Sequence, residues 1–183
     1  GFMRLFDFDK VEVLQEFKHH ERPVKSISYS SDERLLVTTS TDSQSTIYNV
    51  SRKYEVVKMI QTDVCGPTSG AVLSHNCLLL ATIGSHSNQV SIIDLTTFHT
   101  RFVIPCRGTI IQSIYFSYED RDLLVLTTDQ RLLYYGLFED KEPQLTKEIA
   151  NLHAEEAETL DIHPCNDYIA TGGGDRMIKI WNF

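Results

Sequence analysis

Short apolar runs separated by clusters of Ser, Asp, Asn and Gly dominate this chain. Val24–Tyr29, Leu35–Thr39 and Ile110–Phe116 are rich in β-branched and aromatic side chains and bounded by such clusters. Runs of four to seven residues with that composition predict strands. Leu123–Thr127 is apolar at nearly every position, as a strand covered on both faces would be. One stretch admits two readings. Leu145, Ile149, Leu152 and Leu160 lie in an Ala/Glu-rich segment and would satisfy a helix. Alignment with an earlier part of the chain favours a strand, a polar turn and another strand.

The runs recur, and a fixed period points to a repeat architecture. Residues 20–50 lie over residues 153–183 without a gap, with identities at His20/His153, Thr38/Thr171, Asp42/Asp175, Ile47/Ile180 and Asn49/Asn182. Val24, Ile27 and Tyr29 fall on Ala157, Leu160 and Ile162, and Tyr48 falls on Trp181. Two weaker copies lie between. One aligns Ser74 with Ser30, Thr82 with Thr38 and Ile93-Asp94 with Tyr48-Asn49. The other aligns Ser117 with Ser30, Asp129 with Asp42 and Tyr135 with Tyr48. Counting Phe6-Asp7, the closing dipeptides start at 6, 48, 93, 135 and 181. The expected strands total seventeen, beginning with the last two strands of one unit and ending on the third of another.

This repeat resembles the WD-repeat (WD40) β-propeller family. The last copy carries the resemblance best: His153, then Ala157, Leu160, Ile162 and Pro164, Ala-Thr-Gly at 170–172, Asp175 and Ile-Lys-Ile-Trp-Asn at 178–182. Departures are Leu152 where a glycine is usual before the histidine, and Asn182 where aspartate usually follows the tryptophan. Val64 and Arg107 occupy the histidine position of the middle copies. The resemblance implies an all-β fold, a partial propeller of about four four-stranded antiparallel blades forming an arc of a larger ring. The expected divisions are 1–17 (last strands of a preceding blade), 18–61, 62–104, 105–150 and 151–183 (an incomplete last blade). Closure as a four-bladed ring, with Val11–Phe17 completing the last blade, is the alternative. The resemblance also implies two buried hydrogen-bonded tetrads: His153, Thr171, Asp175 and Trp181, and His20, Thr38, Asp42 and Tyr48, the last with a phenol replacing the indole donor.

Charge and cysteine content narrow the classes. The chain has 183 residues and a formal net charge of −8. Residues 139–183 hold 4 basic and 10 acidic side chains, whereas residues 51–138 hold 7 of each. A Debye length of about 10 Å at 0.1 M salt keeps the acidic end a local feature. Disorder, membrane insertion and a strongly basic nucleic-acid binder are disfavoured. Cys65, Cys77, Cys106 and Cys165 stand far apart without a C-x-x-C pair, which reads as reduced thiols of an intracellular protein.

Candidate chemistry is sparse. Thr171-Gly-Gly-Gly-Asp lacks the spacing of a phosphate loop and is expected to connect strands. His19-His20 and His153/His163 lack standard metal-ligand spacing, and no nucleophile elbow is present. No catalytic residue, metal or cofactor is expected. Arg22, Arg101 and Arg107 are the candidate partner contacts, because arginine is enriched in interface hot spots. The function expected is a non-enzymatic scaffold for protein–protein interaction, cytoplasmic or cytoskeletal, without nucleic-acid, membrane or small-molecule partners. Within the family, RLFDFDKVEVLQEFKHH, TTDQRLLYYGL and ATGGGDRMIKIWNF are similar to the large tandem-propeller proteins of cilia and centrioles, most of all to that of the centriole inner scaffold. That similarity implies a microtubule-associated role with tubulin or ciliary and centriolar proteins as partners. A substrate-recruiting or signalling-complex adaptor is the alternative.

Overall fold

The computed structural model describes residues 1–61, 67–106, 109–138, 141–165 and 167–182. Seventeen strands and no helix occur among them, in five antiparallel sheets. The first sheet is β1 (Met3–Phe6) and β2 (Val13–Phe17). The second is β3 (Val24–Tyr29), β4 (Leu35–Ser40), β5 (Gln44–Asn49) and β6 (Glu55–Gln61). The third is β7 (Thr68–Leu73), β8 (Leu79–Gly84), β9 (Gln89–Asp94) and β10 (Thr100–Pro105). The fourth is β11 (Ile111–Phe116), β12 (Asp122–Thr127), β13 (Leu132–Gly136) and β14 (Gln144–Ile149). The fifth is β15 (Ala157–Ile162), β16 (Tyr168–Gly173) and β17 (Ile178–Asn182). The segment that also suited a helix is β14, a polar loop and β15.

Strands within each sheet pair in chain order, so every connection is a short hairpin. A register shift recurs where the first strand of each larger sheet meets the second: Val24/Ser26, Thr68/Gly70, Ile111/Ser113 and Ala157/Thr159. A bulge there sharpens the local twist. The first strands β3, β7, β11 and β15 contact one another in sequence, and the sheets stack face to face around them.

The core lies between sheets. Leu123 and Val125 pack with Ile92 and Ile104 of the third sheet. Leu124 and Leu126 point the other way, toward Leu160 and Ile169 of the fifth. Period-two alternation thus buries both faces of β12, and all four side chains are fully buried. Each such burial contributes about 1.5–3 kcal/mol. The second and third sheets meet through Val37, Ile47 and Ile60 against Leu73, Leu80 and Ile93.

The ring is open. β2 pairs with β1, and β17 pairs only with β16, so Val13–Phe17 does not complete the last sheet. Ile47 and Ile180 occupy the same repeat position, yet Ile47 is 1% exposed and Ile180 is 72% exposed. Ile47 meets the next sheet, whereas the corresponding face of β17 is uncovered.

Candidate functional site

The most ordered polar chemistry lies at the ends of the two strongest repeats. His153, in the loop before β15, directs Nδ1 to Asp175 Oδ1 at 2.8 Å and Nε2 to Thr171 Oγ1 at 2.8 Å. Trp181 on β17 donates its indole N–H to the same Thr171 oxygen at 2.9 Å. An indole can only donate and a carboxylate can only accept, so Trp181 donates to Thr171 and His153 Nδ1–H donates to Asp175, with the Thr171 Oγ1–His153 Nε2 bond joining the two. The result is a hydrogen-bonded chain from tryptophan through threonine and histidine to aspartate. Asp175 also accepts the backbone N–H groups of Ala154 and Met177. The Ala154 N–H, with the His153 ring and the Met177 N–H behind it, holds the Asp175 carboxyl down at about 2.

The first copy repeats the arrangement with a weaker end. His20 Nε2 lies 2.7 Å from Thr38 Oγ1, and His20 Nδ1 lies 3.0 Å from Asp42 Oδ2. Asp42 further accepts the N–H groups of Glu21 and Gln44. Burial pushes the Asp42 carboxyl up, but Gln44 N–H, His20 and Glu21 N–H outweigh it and leave the group below its ordinary value. Thr38 Oγ1 and Tyr48 Oη are 3.4 Å apart, longer than the indole bond it replaces. The phenol fills the volume but makes a poor polar link.

These tetrads are closed to substrates. Both ring nitrogens of each histidine are engaged, and the two imidazoles are almost wholly buried. Each set ties the loop before a sheet to its second strand, the following turn and the third strand. Gly173 explains part of the glycine run: a Cβ there would stand 2.6 Å from His153 Cγ. Absence of a side chain makes room for the imidazole, while the chain turns through Arg176, whose φ is 63°.

The middle sheets carry fragments of the pattern. In the third, Thr82 and Ser91 hydroxyls are buried with no partner among the described residues. In the fourth, Asp129 receives Thr127 Oγ1 at 2.6 Å and pairs with Arg131 at 2.9 Å. Burial raises the Cys106 thiol pKa against a hydrogen bond with Tyr135. Val64, Arg107 and Cys65 lie outside the described residues. Arg22 is exposed in the loop before β3, while its carbonyl accepts Ser40 Oγ. Arg101 stands on the strand β10 itself, with its guanidinium over the Phe102 ring at 5.3 Å. The structure does not bring Arg22 or Arg101 into a tetrad.

Two devices were not legible from residue types. Ser30, Ser74 and Ser117 recur, and each hydroxyl accepts the N–H that opens the second strand, from Leu35, Leu79 and Asp122. The recurrence is visible in the alignment, but the role is not. Asp120 clamps two sheets together by accepting His75 N–H and Asn76 N–H, both at 2.7 Å. The His75 ring also stacks near Tyr118 at 4.3 Å. Among the described residues no group of three or more His, Cys, Asp or Glu is placed to hold a metal, and no helix is long and apolar enough to cross a membrane.

Residues 11–49 and 147–182 match the family "WD domain, G-beta repeat". Centriole proteome protein 16 of Chlamydomonas reinhardtii is 24% identical over 186 residues, covering 99% of this chain and 9% of that protein. WD repeat-containing protein 90 of Xenopus tropicalis is 23% identical over 197 residues, covering 100% of this chain and 10% of its own length. The chain therefore spans about a tenth of these curated relatives. A chain from the crystal structure of the mitotic checkpoint complex aligns with a TM-score of 0.81 at 16% identity, over 93% of this chain and 54% of that one. That likeness is one of fold.

Proposed function

We propose that this chain, a run of WD repeats folded as an open β-propeller arc, is a non-enzymatic interaction scaffold within a large WD-repeat protein of a cilium or centriole. The observation that carries the reading is the alignment of 99% of the chain with a Chlamydomonas protein whose name assigns it to the centriole proteome. A similar alignment with a Xenopus WD-repeat protein supports the large tandem architecture. The physical design suits a scaffold. Closed tetrads and apolar inter-sheet layers hold the loops rigidly, so little ordering cost accompanies partner binding.

In this role the acidic last sheet faces away from acidic tubulin, and the neutral middle or an intervening protein makes contact. Arg22 and Arg101 are proposed as partner contacts because arginine is enriched in interface hot spots. The test is co-pelleting of the full-length parent protein with stabilised microtubules, together with its localisation in ciliated cells. Enrichment at centrioles or axonemes is expected. Absence from both structures and from the microtubule pellet overturns the reading.

A further inference from the structure

An open groove of about 570 Å³ lies between the end of β2 and the β5–β6 turn. Phe17 and Tyr54 line it with their rings 5.5 Å apart, and His19 stands beside them. Its rim carries Lys18, Arg52 and Lys53, all exposed. Two acidic residues share the rim, but each is engaged: Glu16 meets Arg4 at 3.4 Å and Glu55 meets Arg52 at 3.9 Å. Three cations and two carboxylates therefore line the groove, in a chain whose net charge is −8, and the Lys18 ammonium rests over the Phe2 ring at 5.3 Å. The turn is firmly shaped. Lys53 and Tyr54 both have positive φ, at 56° and 60°, as a primed hairpin turn requires, and Arg52 N–H bonds Asn49 Oδ1 at 3.0 Å.

We propose that this groove binds an acidic, extended peptide segment of a partner protein. Carboxylates of the segment pair with Lys18, Lys53 and the outer donors of Arg52, while its backbone lies on the Tyr54 and His19 rings. Charge complementarity selects the occupant. A nucleic acid is disfavoured because duplex phosphates, at about one charge per 1.7 Å, run well beyond so short a basic patch. Past the groove they meet a chain of net negative charge. The inference stands on the groove alone and holds whether or not the parent protein works at a centriole.

The test is fluorescence anisotropy on the full 183-residue chain, using a labelled octapeptide alternating Glu and Gly. Its Gln/Gly counterpart and an oligothymidylate of matched charge serve as the other arms. The acidic peptide is expected to bind at least about tenfold more tightly than the Gln/Gly peptide, and to weaken as salt shortens the screening length. Lys18→Glu with Lys53→Glu abolishes that preference, Lys18→Gln with Lys53→Gln reduces it, and Lys147→Glu on β14 leaves it intact. The neutral pair keeps the test decisive if charge reversal disturbs folding. Equal binding of both peptides, indifference to the paired substitutions, or equally tight oligothymidylate binding dependent on the same lysines overturns the proposal.

Discussion

Replacing Asp42 with alanine strips three donors of one acceptor, and the structure indicates how much each loss costs. Glu21 N–H is exposed and water replaces the carboxylate there. Gln44 N–H is partly buried, and His20 Nδ1 belongs to a side chain only 2% exposed. An unsatisfied buried donor costs about 1–3 kcal/mol. Weighting His20 fully, Gln44 in part and Glu21 near zero gives about 2–4 kcal/mol in all. For a chain of this size, about 3 kcal/mol lowers Tm by roughly 6–12 °C. Urea denaturation followed by far-UV circular dichroism measures the loss, with Asp167→Ala as control. Asp167 is exposed in the turn before β16 and its removal costs less than about 0.5 kcal/mol. Asp42→Asn retains one acceptor oxygen and falls between. Equal midpoints for Asp42→Ala and Asp167→Ala refute the assignment of Asp42 as the anchor of its tetrad.

Thr171→Val severs the links to both His153 and Trp181 while keeping shape, and is expected to cost about 2–4 kcal/mol in the same urea assay; Thr171→Ser restores most of it. Because the Asp175 carboxyl sits at about 2 in the folded chain, below its ordinary value, its contribution is complete above about pH 4 and disappears as pH falls through about 2. Trp181 is the single tryptophan, so its emission should stay native-like at pH 4 and change on further acidification; a transition centred near pH 5 contradicts the reading. Gly173→Ala drives a Cβ into a buried imidazole held on both sides, which should cost about 1–3 kcal/mol as overpacking and lower the thermal midpoint. Asp120→Ala is expected to cost about 1–2 kcal/mol and to speed amide exchange at His75 and Asn76, while exchange at Leu35 stays unchanged.

Strands, period and hairpin order were legible because each depends on neighbours close in sequence. Ile110–Phe116 announced β11 by its apolar and β-branched side chains, and Leu123–Thr127 announced burial on both faces. The tetrad candidates stood out because His, Thr and Asp recur at constant spacing. What stayed hidden depends on distances between repeats. The Asp120 clamp joins residues 45 apart on two different sheets, and nothing in either segment marks the meeting. Lys18, just past β2, and Lys53, in the β5–β6 turn, line one groove from distant segments, so the groove is not marked by a basic run. The phenol of Tyr48 was expected to replace the indole donor, yet its ring ends 3.4 Å from Thr38 Oγ1. Residue type alone does not convey that a six-membered ring places its oxygen differently from an indole nitrogen. Gly173 reads as turn chemistry until the imidazole beside it shows that volume is the constraint.

The contrast between Ile47 and Ile180 has a thermodynamic consequence. One isoleucine in one repeat position gains its hydrophobic stabilisation only from the sheet beyond it, so cohesion here resides in nearest-neighbour couplings. Such a stack behaves as a short one-dimensional lattice whose end members have the fewest couplings. Within this stack β12, sandwiched on both sides, is expected to be among the last strands to exchange its amides.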